Sequence, residues 1–166
     1  MQHYKRFLIQ KENQYLNDGV TVNDTTVHDS TEWNIWITKY PFKVKGEAKD
    51  VPSNDWYDEN GKEVFLPDKL PIKAYETTIE FVFKGTKGTA GTKIKSFLDY
   101  LANGGYFKMY CEWCKHGLQN VRYVSYDPNA EYIDNEDLDP ESSIITFKVK
   151  LAVDDPETSI TLSKEA

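Results

Sequence analysis

The residues whose types and spacing come nearest to a reactive site are Cys111 and Cys114, within Cys111-Glu112-Trp113-Cys114-Lys115-His116. Two thiolates at this spacing supply half of a tetrahedral zinc site, and a second pair or two histidines must complete it. The other histidines, His3 and His28, are isolated in the sequence. Residues three apart on a strand point to opposite faces, so joint ligation requires that a turn begin between the two cysteines. Lys115 separates Cys114 from His116, which excludes haem attachment. Two reduced cysteines beside a hairpin tip account for the motif without a metal, and an even cysteine count does not imply a disulfide in a cytoplasmic protein.

Other constellations weaken on inspection. Asp134-Asn135-Glu136-Asp137-Leu138-Asp139 is rich in carboxylates but lacks the glycine and the terminal glutamate of a calcium loop. Glu76 and Glu80 form a carboxylate pair along one strand face, with nothing to mark a cleft around them. Gly85 to Lys93 is glycine-rich, yet Gly91-Thr92-Lys93 reverses the order a phosphate-cradling loop needs, leaving a flexible link into a helix. No Ser, His and Asp set suits nucleophilic catalysis. The chain is therefore expected to be non-enzymatic, with no catalytic residues, cofactor or metal.

Aromatic residues are the remaining chemistry. Trp33, Trp36 and Trp56 with Tyr40, Tyr57 and Tyr75 could stack sugars or bases, although Trp33 and Trp36 would face opposite sides of a strand. Trp56-Tyr57 is an adjacent pair in a charged, proline-punctuated stretch, the composition of an anchor for a partner surface. Phe65 and Leu66, on a short strand in the same stretch, join Trp56 and Tyr57 as the expected subunit interface.

The elements that must position these residues are legible from periodicity. Tyr75, Thr77, Ile79, Phe81 and Phe83 alternate with Glu76, Thr78 and Glu80, and Ile145, Phe147, Val149, Leu151 and Val153 alternate with Thr146, Lys148 and Lys150. Each is a strand with one core face and one wet face, the pattern of antiparallel sheets. Ile94, Phe97, Leu98 and Leu101 follow helical spacing between a start capped by Thr89 or Thr92 and an end at Gly104. Residues 106–113 and 121–126 flank a turn near Lys115-His116-Gly117 as a hairpin. Phe7-Leu8-Ile9, Val20-Thr21-Val22 and Trp33 to Ile37 are shorter strand candidates. The prediction is a single domain over 1–166, mainly β with one helix (α+β), an antiparallel β-sandwich or small open barrel with a flanking amphipathic helix. A long loop protrudes at about 41–72, with four prolines, and an acidic loop spans about 127–143.

Composition narrows the partners. At 166 residues a single core suffices, and aromatic residues make up 14% of a chain with mean hydropathy −0.65, which suits half-buried strands. The net charge of −7 opposes nucleic-acid binding, which draws on clustered Lys and Arg. No stretch approaches the roughly 20 apolar residues of a membrane span, and residues 1–6 lack a signal peptide's apolar run, so a protein made and kept in the cytoplasm, or exported by lysis, is expected.

The order long strand, glycine-rich link, amphipathic helix, Gly104-Gly105, aromatic hairpin, acidic loop and long last strand ending Val153-Asp154-Asp155-Pro156-Glu157 resembles the tail proteins of long-tailed bacteriophages, especially the distal-tail and tail-tube families. Pro67 to Phe81 looks like the loop and strand before the helix in those proteins, Gly105 to Tyr110 like the strand after it, and Ile145 to Pro156 like the closing strand. The resemblance is one of pattern over residues 65–157, and the first 60 residues match less well. It implies a structural subunit of a phage or prophage tail, assembled in the host cytoplasm as a hexameric ring around a DNA channel, with itself and other tail proteins as partners. On this resemblance, Lys43 to Leu70 is the inter-subunit arm. The alternative is a β-sandwich carbohydrate-binding module using Trp33, Trp36, Trp56 and Tyr57.

Overall fold

The computed structural model describes residues 5–12, 26–39, 42–43, 45–103, 105–127, 131–133 and 142–163. In chain order the elements are β1 (Leu8–Lys11), β2 (His28–Asp29), a 3-10 turn (Ser30–Trp33), β3 (Ile35–Ile37), β4 (Ser53–Asn54), β5 (Glu63–Val64), β6 (Tyr75–Thr86), α1 (Ala90–Ala102), β7 (Phe107–Cys111), β8 (His116–Tyr126), β9 (Glu131–Ile133) and β10 (Ser142–Val153). The main sheet runs β2-β1-β7-β8-β10-β6-β3, with β9 also on β10, and every pairing is antiparallel. The fold is thus mainly β with one helix, a curled sheet forming an open barrel, as the alternation predicts.

The two longest alternating segments are paired with each other over their full length, from Tyr75↔Val153 to Thr86↔Ser142. Their shared register places Ile79, Phe81, Phe83, Phe147, Val149 and Leu151 on the concave face, where all are buried. The convex face carries Glu76, Glu80, Lys148 and Lys150, with Lys150 Nζ 2.9 Å from Glu76. The carboxylate pair is therefore the wet face of a strand.

Helix α1 lies across the concave face, because Phe97, Leu101 and Ala90 with the half-buried Ile94, Leu98 and Tyr100 form its apolar stripe. Phe97 is its centre, with ring centroids 5.2 Å from Phe81, 5.4 Å from Trp33 and 6.1 Å from Phe7. Thr89 occupies the N-cap position without capping through its side chain; its hydroxyl donates instead to the carbonyl of Thr86 at 2.6 Å. Asn103 ends the helix, and Gly104 lies outside the described residues.

Several boundaries differ from the sequence expectation. The hairpin turn falls at residues 112–115, with Lys115 at φ 53°, and His116 and Gly117 already belong to β8. Glycine is required at 117 because a Cβ there would lie 2.6 Å from the carbonyl oxygen of Met109. Trp33 ends a 3-10 turn capped by Asp29, whose Oδ1 accepts from the Thr31 amide, so the strand begins at Ile35. Within the acidic stretch, Glu131–Ile133 pairs with Ile144–Thr146 as a strand. Val20 to Val22 and Asp134 to Asp139 lie outside the described residues.

Candidate interaction site

Of the stretch expected as a loop at 41–72, residues 46–72 form a two-stranded ribbon. Its stem is held by the Ala48↔Ile72 bridge, with Lys49 N donating to Pro71 O at 2.8 Å and Lys73 N to Glu47 O at 2.7 Å. Further out, β4 pairs with β5, and Phe65 N donates to Pro52 O at 2.9 Å. Prolines 52, 67 and 71 offer no amide to a ladder, which keeps the rungs few and the strands short. The tip turns at Trp56 to Glu59, where Glu59 N donates to Trp56 O at 3.2 Å, and Gly61 takes a φ of 80° that other residues resist. At the base, Lys45 pairs with Glu157 at 3.0 Å, and Lys43 N donates to Tyr75 Oη at 3.0 Å.

No residue from 46 to 72 is buried. Yet this arm holds Trp56 at 50% exposure, Phe65 at 69% and Leu66 at 67%, a fully exposed Tyr57, and exposed Val64 and Leu70. Among the described residues, six of the eight exposed large apolar side chains are here, and the other two are Tyr106 and Trp113. The four residues expected to form an interface are thus on one ribbon, open to solvent. Apolar surface gathered in this way marks a binding surface more often than a monomer's exterior.

The other aromatic candidates separate. Trp33 is in the core, packed on Phe97 and 5.2 Å from Tyr100, so it cannot stack a ligand. Trp36 points outward from β3, since Ile35 and Ile37 on either side of it are buried. It lines an open cleft with Trp113, Lys5, Arg6 and Glu112. Arg6 crosses this cleft with one guanidinium nitrogen 2.8 Å from Asp29 and the other 2.8 Å from Glu112. The charge of Asp29, then the hydrogen bond and charge of Glu112, raise its pKa. Tyr40 lies outside the described residues.

The cysteine motif resolves into two unlike thiols. Cys111 is buried at the end of β7, and burial, reinforced by neighbouring Cys114, pushes its pKa up. Cys114 is exposed in the turn, its Sγ 3.6 Å from the Cys111 carbonyl oxygen. Among the described residues, no group of three or more His, Cys, Asp or Glu is placed to hold a metal ion. His28 instead meets Glu32 at 2.8 Å, and His3 lies outside the described residues.

Two features escaped the sequence reading. Lys11 points into the core, its Nζ 5.1 Å from the centre of the Tyr100 ring, 5.3 Å from that of Phe107 and 3.4 Å from the Leu101 carbonyl oxygen. There it is a cation at a helix C-terminus, and burial lowers its pKa to about 8. The only available signal was its place on the apolar side of the Phe7, Ile9, Lys11 alternation. The second is Trp113, an aromatic residue in a hairpin turn, where a surface role was legible had the flanking cysteines not suggested a metal. The chain matches no protein-family model, and no curated protein matches it.

Proposed function

We propose that this protein is a non-catalytic structural subunit that assembles with copies of itself through its arm, as expected for a ring-forming tail protein of a long-tailed phage or prophage. The observation that carries the reading is the concentration of Trp56, Tyr57, Val64, Phe65, Leu66 and Leu70 on a ribbon that contributes nothing to the core. Large aromatic anchors on a protruding element are the side chains that dominate association energies. Covering such a ribbon on a neighbour supports an interface above the roughly 1,000 Å² needed for stable association. The net charge of −7 accords with a channel that lets DNA slide without binding it.

Solution mass by light scattering tests this, over a concentration series reaching several hundred micromolar. The full chain is expected to approach a ring of about six times 19.2 kDa. A variant whose residues 49–70 are replaced by a short Gly-Ser turn should remain at the mass of one shortened chain, below 19.2 kDa, with unchanged thermal unfolding. A shortened variant that assembles as the full chain does would refute the arm's role.

Glycan binding is the second reading, and the cleft shared by Trp36 and Trp113 is what favours it. It predicts a monomer whose migration in affinity gels containing soluble polysaccharide is retarded, with the retardation lost in Trp113→Ala. The platform would then be Trp36 and Trp113, since Trp33 is committed to the core.

A further inference from the structure

We infer that the receptor for the arm is the Trp36–Trp113 cleft of a second copy of this chain, so that subunits join head to tail. The inference rests on the self-assembly reading above and names the surface that reading leaves open.

Complementarity of charge and of side-chain chemistry carries it. Residues 46–72 hold seven carboxylates against three lysines, a net of −4 out of the chain's −7. The tip concentrates this further, as Asp55-Trp56-Tyr57-Asp58-Glu59 sets two exposed aromatic rings among three carboxylates. A receiving surface must offer aromatic or apolar area together with positive charge. Outside the arm, the described residues with large exposed apolar side chains are only Tyr106 and Trp113. The two sites differ in charge. Tyr106 donates to Asp154 at 2.7 Å, and Arg122 is drawn to the same carboxylate at 2.9 Å. Trp113 instead lines a cleft with Trp36, Lys5, Arg6 and Glu112, and because Arg6 is already matched by Asp29 and Glu112, Lys5 supplies the cleft's available positive charge. Arg6 is fixed at both ends by Asp29 and Glu112, so its guanidinium is held in place before a partner arrives.

The arm and the cleft are different surfaces of one chain, and the arm's tip stands in solvent. A contact between unlike surfaces is heterologous, and repeated it closes a ring or extends a filament. It requires that each subunit give one arm and receive another.

Mixing two incomplete subunits tests this, with circular dichroism confirming that each is folded. One carries Trp56→Ala and Tyr57→Ala on the arm, and the other carries Lys5→Glu and Trp113→Ala in the cleft, all four positions lying outside the core. At the highest concentration used for the full chain, each alone should stay at 19.2 kDa. An equimolar mixture should give a particle of twice that mass and nothing larger, because only one intact arm then meets one intact cleft. If the cleft variant alone assembles like the full chain, or the mixture stays monomeric while the full chain assembles, the cleft is not the receptor, and arm-mediated assembly survives through another surface. If the full chain itself stays at 19.2 kDa, the self-assembly reading falls and this inference with it.

Discussion

Lys5 and Ile37 exchange both of their backbone hydrogen bonds, at 2.7 and 2.9 Å, and thereby bring the N-terminal segment against β3 at the far edge of the curled sheet. Since β1 begins three residues after Lys5 and pairs with β7, this isolated bridge ties the β1 side of the strand order to β3 at its far end. Lys5→Pro removes the donor to Ile37 and should lower stability by about 1–3 kcal/mol. Urea denaturation measures it, and an unchanged midpoint would show that the bridge contributes nothing to stability.

Phe97 on the helix packs against three aromatic rings of the body, Phe7, Trp33 and Phe81. Truncation to alanine leaves a ring-sized void that rigid strands on the other side cannot fill. Phe97→Ala should cost about 3–5 kcal/mol, whereas Ser96→Ala on the exposed helix face should change stability by less than about 0.5 kcal/mol. Thermal unfolding of the two variants separates a helix that is part of the core from one that merely rests on it.

Lys11 gives a pH dependence of defined sign. Its pKa is lowered to about 8 by burial, against an ordinary value of 10.5, so between those limits the unfolded chain binds the extra proton. Its contribution therefore destabilises the fold fully below pH 8 and fades as pH rises towards 10.5, by roughly 1–3 kcal/mol in total. The difference in unfolding free energy between the native chain and Lys11→Met should narrow across that window, which cancels the tyrosines that titrate near its upper end. A difference independent of pH would mean that Lys11 keeps its ordinary pKa in the folded protein.

The two cysteines should react unequally. Cys114 is exposed in the hairpin turn, while Cys111 is buried with its thiol pKa raised, and only the thiolate is nucleophilic. A colorimetric thiol reagent should titrate one group per native chain at neutral pH and two in denaturant. Two fast groups in the native protein would place Cys111 at the surface.

Much of this protein is written in its periodicity. Alternation from Tyr75 to Phe83 and from Ile145 to Val153 assigns the inner and outer faces of β6 and β10 residue by residue, because the strand period of two is a property of the backbone alone. The spacing of Phe97 and Leu101 likewise identifies the helix face that meets the sheet. The exposure of Trp56, Tyr57, Phe65 and Leu66 follows from local composition too, since a segment broken by prolines and carboxylates cannot enter a core.

Long-range pairing was decided only in three dimensions. Nothing near Lys5 in sequence specifies Ile37 as its partner, and nothing near Glu131 specifies that Glu131–Ile133 pairs with β10. Trp33 and Trp36 look alike along the chain, yet the 3-10 turn at Ser30–Trp33 sends the first into the core and leaves the second outside, in a cleft shared with Trp113 from 77 residues further on. Lys11 occupies an apolar position because a helix carbonyl and two rings arrive there from elsewhere in the chain. Local patterning is set by neighbours within a few residues, whereas these placements depend on which distant strand or helix end the curled sheet brings alongside.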